Sequence, residues 1–446
     1  MAVKFTRPRG TMDVLPGESW KWQYLEDWMR KVVARYSYHE IRLPTFESTE
    51  LFSRGVGEET DIVSKEMYTF EDKGGRSITL RPEGTAGVVR AVLENGLLAS
   101  SPLPLKNYYL QSCFRYEKAQ KGRFREFHQF GIECFGTHAP EADVEAMAVA
   151  DSLWRAFSLS DKIHLEINSV GCPVCRPHYI EKLQAYFREH EDKLCDTCKE
   201  RLDKNPMRIL DCKNESCAKI AEKAPSMLDY LCEDCSSHFE KVKQLLGEAD
   251  MPFTVNAAIV RGLDYYTNTV FEFIAQGVGT QGTVCGGGRY DGLIAQLGGQ
   301  PTPAVGFALG IERLLMLLEE NGKLPQPPAG PDVYLVAMGD EPRAFARKLA
   351  TRLRGEGHAI EVDIAARSIK AQMKAAGRLN ATYTMVLGDE ELSNGQAVLK
   401  RMADGAEVTL ELADIENRLL RLLVNTPFAP QGQPLEALLN QHDKMK

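Results

Sequence analysis

The chain has 446 residues, of which 43% are hydrophobic and 26% charged, the proportions of a soluble globular protein with two or three domains. This composition excludes disordered, collagen-like and coiled-coil chains, and the net charge of −8 disfavours unselective binding of nucleic acids. The longest apolar runs are too short to span a bilayer, and the N-terminus lacks the apolar core of a secretion signal. We therefore expect a cytoplasmic protein without membrane segments.

Helical and strand patterns alternate from the N-terminus to about residue 160. The spacing of apolar residues predicts an amphipathic helix over 17–35 and another helix over 142–157. Between them, two β-rich segments at 107–117 and 126–136 flank a polar loop. This pattern is typical of a long antiparallel hairpin.

The second half of the chain also divides into predicted elements. Residues 303–320 predict a strand that leads into a long helix, and the Pro- and Gly-rich segment 321–331 predicts an interdomain linker. Strands alternating with helices over 331–425 predict a small α/β domain with a partly parallel sheet. The polar residues 426–446 predict a flexible tail.

Eight of the eleven cysteines lie within residues 172–235, and in a reducing compartment such clustering favours metal ligands over disulfides. Their spacing predicts two structural zinc sites of four cysteines, each formed by pairs that are neighbours in sequence. Interleaved pairing, a single zinc with spare thiols and an iron–sulfur cluster remain as alternatives. The first predicted site has the ligands Cys172, Cys175, Cys195 and Cys198, and the second has Cys212, Cys217, Cys232 and Cys235.

Charged residues accompany the predicted hairpin. Arg115 and Glu117 lie on one face of its first segment, the loop after them is basic, and Phe127 and Gln129 follow in the second strand. An arginine that faces a pocket binds phosphate or carboxylate through paired hydrogen bonds. These residues alone would also fit an exposed hairpin with ordinary ion pairs.

Two further segments favour a phosphate- or carboxylate-binding site over an exposed hairpin. Arg42-Leu43-Pro44 follows the first long helix, and the strand and glycine bend at 304–310 lead into a helix that carries Arg313. In this order the three segments resemble motifs 1, 2 and 3 of the class II aminoacyl-tRNA synthetases. The blocks 79–87 and 261–267 resemble the histidine-specific signatures of the histidyl-tRNA synthetase family. The resemblance runs from Arg9 to about Leu423.

This resemblance implies an α+β catalytic domain over 1–325 with a mixed, mainly antiparallel sheet. The cysteine-rich segment 170–240 would be an insertion in that domain, and 331–425 would be an anticodon-binding α/β domain. Many members of the family have an insertion at this point without these cysteines, so any metal here is expected to be structural.

The implied activity has two steps and needs no nucleophilic side chain. L-histidine is activated with ATP to histidyl-adenylate and pyrophosphate, with Mg²⁺ accompanying the triphosphate, and histidine is then transferred to the 3′-terminal ribose of tRNA(His). The resemblance also implies a homodimer, with Pro44 near its interface.

The resemblance further implies the roles of individual residues. Arg115 and Arg261 would stabilise the charge that develops on the α-phosphate. A neutral imidazole offers one donor and one acceptor, so its pocket must supply complementary groups. The implied histidine-binding residues are Glu83, Gly84, Thr85, Arg115, Gln129, Glu133, Arg261, Tyr265 and Tyr266. The implied ATP-binding residues are Arg115, Glu117, Arg123, Phe127 and Arg313.

Local charge differs from the chain average. Residues 106–125 carry six basic and one acidic residue, and residues 343–378 carry nine basic and three acidic residues, so the local charges are +5 and +6. Basic patches of this kind favour contact with a phosphate backbone. A solvated helix face is the alternative for the second patch.

Two other functions fit the sequence less well. A non-catalytic, histidine-sensing regulatory subunit of ATP phosphoribosyltransferase normally lacks both the C-terminal domain and the 261–267 block, and both are present here. A zinc-dependent RNA-binding module would leave the ATP and histidine residues unexplained.

Overall fold

The computed structural model describes residues 5–425 except 59, 119, 121 and 276–281, together with Leu435. The predicted tail at 426–446 therefore lies outside the described residues, apart from Leu435. The chain divides into two compact units, 1–325 and 326–446, and the division falls within the Pro- and Gly-rich segment. Among the described helices, none combines the length and the apolar character needed to cross a bilayer.

The first unit contains eleven α-helices and eleven strands within its described residues. The helices are α1 (Pro16–Arg35), α2 (Thr49–Val56), α3 (Thr85–Glu94), α4 (Leu97–Ser100), α5 (Pro140–Ala156), α6 (Arg176–Arg188), α7 (Asp196–Lys204), α8 (Glu215–Ala221), α9 (Glu233–Glu248), α10 (Leu293–Gln296) and α11 (Ile311–Glu320). The strands are β1 (His39–Glu40), β2 (Phe46–Ser48), β3 (Thr69–Glu71), β4 (Ser77–Leu80), β5 (Leu105–Phe114), β6 (Glu126–Phe135), β7 (Ile163–Ser169), β8 (Phe253–Val255), β9 (Thr267–Ala275), β10 (Thr283–Arg289) and β11 (Ala304–Gly310).

Eight of these strands form one sheet in the order β1-β5-β6-β11-β10-β9-β7-β8. The two outermost pairs, β1–β5 and β7–β8, are parallel and all the inner pairs are antiparallel. The predicted mixed, mainly antiparallel sheet is thus confirmed. The predicted hairpin is β5–β6, in register from Leu105 opposite Phe135 to Phe114 opposite Glu126.

Side-chain alternation gives the large sheet two different faces. On one face, apolar residues such as Phe271 and Phe273 of β9 and Phe307 of β11 join a core that also includes α1, α5, α9 and α11. The opposite face carries polar residues, among them Glu272 between those two phenylalanines, and lines an open cleft. One face of the sheet therefore packs in the hydrophobic core, and the polar face is available to line a binding site.

The cysteine-rich insertion has a small core of its own. Helices α6, α7 and α8 and their connections bury a few apolar residues, including Tyr179, Leu183 and Phe187, together with four of the cysteines. Helix α9 instead packs with Phe239, Val242 and Leu246 into the main core. The insertion is thus anchored to the catalytic unit through its last helix.

The second unit has the α/β architecture predicted from the alternating pattern. Its sheet has the order β13-β12-β14-β15-β16, with β13, β12 and β14 parallel and the last two strands antiparallel. The last strand, β16, was not predicted from the sequence. The elements are β12 (Val333–Ala337), α12 (Asp340–Gly355), β13 (Ile360–Val362), α13 (Ile369–Arg378), β14 (Tyr383–Leu387), α14 (Asp389–Asn394), β15 (Gln396–Arg401), β16 (Glu407–Glu411) and α15 (Ile415–Asn425).

Candidate active site

The polar face of the large sheet forms the floor of a cleft with a volume of about 750 Å³. Strands β6, β7, β9, β10 and β11 all contribute to its lining, as does the loop between β5 and β6. Seven of the residues predicted to bind substrates line this cleft, namely Arg115, Glu117, Arg123, Phe127, Gln129, Arg261 and Arg313.

The residues predicted to bind ATP lie together around the end of the hairpin. The Arg115 guanidinium donates to the Pro82 carbonyl at 2.8 Å and lies 5.3 Å from the centre of the Phe127 ring. Arg123 forms an ion pair of 3.0 Å with Glu117. The cluster therefore presents cations next to an aromatic face, which suits a nucleotide.

Arg313 projects from the first turn of α11 toward the same cluster. Its Nη1 donates to the Thr283 carbonyl at 2.7 Å. Burial lowers the pKa of the Arg313 guanidinium, and the positive charge of Arg123 lowers it further. Two neighbouring cations of this kind favour an anionic ligand between or beside them.

Arg261 lies at the other side of the cleft and is held by a carboxylate. Its Nη1 donates to Glu272, whose second oxygen accepts from the Thr283 hydroxyl at 2.7 Å. Burial lowers the pKa of Arg261, but the charge of Glu272 acts together with Tyr266 and Tyr265 to raise it overall. The guanidinium also fills the space above Gly286, where an added β-carbon would lie 2.5 Å from its Nη2.

Most of the residues predicted to bind only histidine form a buried cluster rather than lining the cleft. Glu83 and Glu133 are 4% and 1% exposed, and the rings of Tyr265 and Tyr266 lie 4.8 Å apart. The cluster also contains Tyr290, whose ring lies 5.6 Å from that of Tyr265 and whose hydroxyl donates to Glu133.

Glu83 has a clear local role. Its two carboxylate oxygens accept from the backbone N–H groups of Thr85 and Ala86, each at 2.7 Å. The carboxylate therefore caps the N-terminus of α3, while burial raises its pKa. Gly84 has a packing role beside it, because an added β-carbon would overlap the ring of Tyr109.

Glu133 is the most strongly perturbed carboxyl group of the cluster. Burial raises its pKa to about 8. It lies against the backbone of the neighbouring strand, and an added β-carbon at Gly306 would overlap its Oε2. A cationic group entering this cluster would favour the ionised form of the carboxylate.

Three partners in this region had no signal in the sequence. Glu272 lies 11 residues from Arg261 in the chain, Tyr290 and Tyr109 lie further from the residues that they contact, and none of the three belongs to the motif or signature segments. Only the pairing of the strands brings them together, with Glu272 opposite Gly286 on β10.

The eight cysteines form two groups, but not those of the preferred prediction. Pairing between sequence neighbours is wrong, because the first pair meets the fourth and the second meets the third. The insertion leaves after β7 and returns through α9 to β8, which pairs with β7, so its two ends lie side by side. The outer cluster is Cys172, Cys175, Cys232 and Cys235, and the inner cluster is Cys195, Cys198, Cys212 and Cys217.

The geometry of both clusters fits a tetrahedral metal ion. Sulfur–sulfur distances include 3.7 Å between Cys172 and Cys175, 3.8 Å between Cys175 and Cys235, and 3.9 Å between Cys195 and Cys212. Four thiolates at a zinc–sulfur distance of about 2.3 Å would lie about 3.8 Å apart. Backbone N–H groups also point at three of the sulfurs, with Cys195 N donating to Cys217 Sγ at 3.2 Å, Cys172 N to Cys175 Sγ at 3.3 Å and Val174 N to Cys172 Sγ at 3.4 Å.

The outer cluster is tied directly to the tyrosine pair. Arg176, the residue after Cys175, donates to the Tyr266 carbonyl at 2.6 Å and to the Val170 carbonyl at 3.1 Å. The Cys235 thiol donates to the side chain of Asn268 at 3.0 Å. The position of residues 265–268 therefore depends on how the insertion begins and ends.

Comparison with known proteins gives the same picture over nearly the whole chain. The family model of histidyl-tRNA synthetase matches residues 10–314, and an anticodon binding domain model matches residues 332–422. A histidine–tRNA ligase of Acetivibrio thermocellus is 52% identical, with 92% of this chain and 98% of that protein covered. Another from Caldicellulosiruptor saccharolyticus is 50% identical, with 94% and 99% covered.

A solved structure agrees with these matches. The apo histidyl-tRNA synthetase of S. aureus superposes with a TM-score of 0.79 at 41% sequence identity, and the match covers 93% of this chain and 99% of that one. Sequence, domain order and fold therefore lead to one conclusion: the chain belongs to the histidyl-tRNA synthetase family.

Proposed function

We propose that the chain is a histidine–tRNA ligase, which activates L-histidine with ATP and then transfers histidine to the 3′-terminal ribose of tRNA(His). The observation that carries this proposal is a single cleft lined by Arg115, Arg261 and Arg313, next to a buried cluster of carboxylates and tyrosines. The first group suits a triphosphate and the second suits a cationic amino acid with a polar ring.

In the first step, the histidine carboxylate attacks the α-phosphorus of ATP and pyrophosphate leaves. Arg115 and Arg261 would stabilise the negative charge on the α-phosphate from two sides. Arg123 and Arg313 would hold the β- and γ-phosphates, and Phe127 would stack on adenine while Glu117 accepts from its amino group. Mg²⁺ would enter with the triphosphate and neutralise part of its charge.

Histidine recognition rests on the buried cluster. Glu83 and Glu133 would meet the α-ammonium and a ring N–H, and Tyr265 and Tyr266 would complete the hydrogen bonds of the imidazole, with Thr85 and Gln129 nearby. Because Glu133 gains a cationic partner on binding, its raised pKa would fall toward the ordinary range. A pocket that hydrogen-bonds both ring nitrogens rejects isosteres that lack them.

The remaining partners follow from the other surfaces. The second unit, which matches an anticodon binding domain model, would contact tRNA through its basic segment 343–378. A homodimer is supported by an apolar face next to Pro44, where Phe46 and Phe70 are 54% and 47% exposed. Both rings lie on one face of the small β2-β4-β3 sheet. Protein synthesis places such an enzyme in the cytoplasm.

We also assign structural zinc to both cysteine clusters. Four thiolates around each ion would leave no open position for catalysis, so the metal would contribute folding energy alone. The small apolar core of the insertion supports this role, because a core of that size gives little stability unless a metal ion or a covalent cross-link adds to it.

Amino-acid-dependent exchange of pyrophosphate into ATP tests the proposal. We expect exchange with histidine and not with other amino acids, followed by charging of tRNA(His). A chain that binds histidine but shows no exchange would instead be a histidine-sensing regulatory subunit, and binding of RNA without either would indicate a non-catalytic module.

Changing Glu83 to alanine should weaken histidine binding more than ATP binding. The loss of a charge-assisted hydrogen bond to the substrate predicts a rise in the KM for histidine of about 10- to 100-fold. The alanine variant also removes the cap of α3. Glu83→Gln is therefore the matched control, because the glutamine amide oxygen can still accept one of the two hydrogen bonds from the backbone N–H groups of Thr85 and Ala86. An unchanged KM for histidine in both variants would remove Glu83 from the pocket.

A further inference from the structure

The inner cysteine cluster closes the loop 195–217, and this loop reaches the active-site cleft. Within it, α7 and a short 3₁₀ turn, Pro206–Ile209, carry the residues that contact the catalytic unit. The buried side chains of Pro206 and Ile209 anchor that turn. The four cysteines thus hold both ends of the segment that faces the substrates.

Two side-chain hydrogen bonds tie this loop to the catalytic unit. Arg201 donates to Asp61 at 2.9 Å, just before the π-helical turn Ile62–Glu66. Asn205 donates to Asp264, in the block of the tyrosine pair, at 3.0 Å. The loop therefore joins two segments of the catalytic unit that are distant in sequence.

Arg208 lies between these two contacts and lines the cleft. Its side chain is 21% exposed, and its Nη2 forms a long ion pair of 3.9 Å with Asp61. A β-carbon placed on Gly262 would lie 3.7 Å from its Nη1, so the guanidinium also borders the residue after Arg261. Within the described part of the chain, this guanidinium donates no hydrogen bond of 3.5 Å or less.

The neighbouring charges make this arrangement unusual. Asp61 already accepts a direct hydrogen bond from Arg201, and Arg261 is compensated by Glu272. Arg208 thus shares Asp61 with Arg201 and Lys65, so that three cations face one carboxylate, an arrangement that an added anion would stabilise. A guanidinium in such a group of cations can bind a phosphate group through charge-assisted hydrogen bonds.

We propose that Arg208, which the inner cysteine cluster holds in the cleft, binds a phosphate group of a substrate during catalysis. The inference rests on the proposed function, because both substrates that could supply the phosphate come from it. One source is ATP or the adenylate, and the other is the phosphodiester at the 3′ end of tRNA(His). In either case the insertion supplies a substrate contact and not only support.

The full chain is compared with its Arg208→Gln and Arg208→Lys variants in two assays. Exchange of pyrophosphate into ATP with histidine follows activation without tRNA, and single-turnover transfer from preformed histidyl-adenylate follows the second step. We expect Arg208→Gln to impair one of the two reactions by roughly 10- to 100-fold. If Arg208 binds the nucleotide, the KM for ATP should rise by this factor. If it binds the tRNA end, transfer should slow by this factor while exchange stays normal. Arg208→Lys should recover part of the loss in the same assay.

Arg188→Gln is the matched control, because Arg188 is a well-exposed arginine of the same insertion, paired with Asp203, and should leave both assays unchanged. The proposal would be overturned if Arg208→Gln had the same exchange rate, KM for ATP and transfer rate as the parent chain. An equal loss in both assays that Arg208→Lys does not relieve would also overturn it, since the residue would then only hold the loop. A parent chain without histidine-dependent exchange would refute the proposed function instead.

Discussion

Changing Arg261 to alanine is expected to lower histidine-dependent exchange of pyrophosphate into ATP by about 10³-fold. A single preorganised donor at a developing charge is worth 10²- to 10³-fold, and a buried guanidinium adds a full positive charge to its hydrogen bonds. Arg261 is placed for this role because Glu272 fixes its guanidinium in the cleft beside Tyr266. The measurement is the exchange rate at saturating ATP and histidine.

The controls for this variant separate chemistry from stability. Glu272→Gln keeps the guanidinium while weakening its ion pair, so it should lose much less activity than Arg261→Ala. Because the alanine variant leaves the Glu272 carboxylate without its cation, the double variant Arg261→Ala/Glu272→Gln shows whether an unpaired charge causes the loss. Near-normal exchange in a folded Arg261→Ala chain would contradict the catalytic role.

Removal of the proposed zinc is expected to open the insertion and to abolish activity. Structural zinc sites contribute about 10 to 16 kcal/mol in small peptides, which is comparable to the gross contribution of the eight apolar side chains, cysteines aside, that are buried in the insertion. We expect two equivalents of zinc per chain by elemental analysis. After chelation, limited proteolysis should cleave within residues 170–240 while the second unit remains resistant.

Single cysteine variants test the two clusters separately. Cys198→Ser should remove only the inner metal and expose the loop 195–217, whereas Cys175→Ser should remove only the outer metal and weaken histidine binding through Arg176. Cys134→Ser is the control, because Cys134 is buried in the main core and should leave the metal content unchanged. A protein without stoichiometric metal would contradict the assignment.

Elements with strong local periodicity could be predicted from the sequence. The hairpin β5–β6 was predicted because two alternating runs flank a polar loop, and α1 and α5 because their apolar residues recur at helical spacing. The short strand β16 was missed, since its alternation only becomes meaningful when β15 pairs with it.

The site was only partly predictable, for a related reason. Arg115 and Arg313 were found because they belong to ordered sequence blocks, but the carboxylate that holds Arg261 comes from strand β9, outside those blocks. The cysteine pairing failed for the same reason, because sequence distance says nothing about where the ends of an insertion meet. The pairing is decided by the tertiary structure, in which the start of the insertion after β7 lies next to its end at α9.

With the zinc that we propose for both clusters, their nested order has a consequence for synthesis of the chain. All four inner ligands are made before Cys232 and Cys235 leave the ribosome, so the inner ion can bind while the outer site is still half complete. The outer ion can bind only once α9 begins, and β9, which carries Glu272, follows later still. Loading of metal can therefore proceed from the inside outward, ahead of completion of the catalytic sheet.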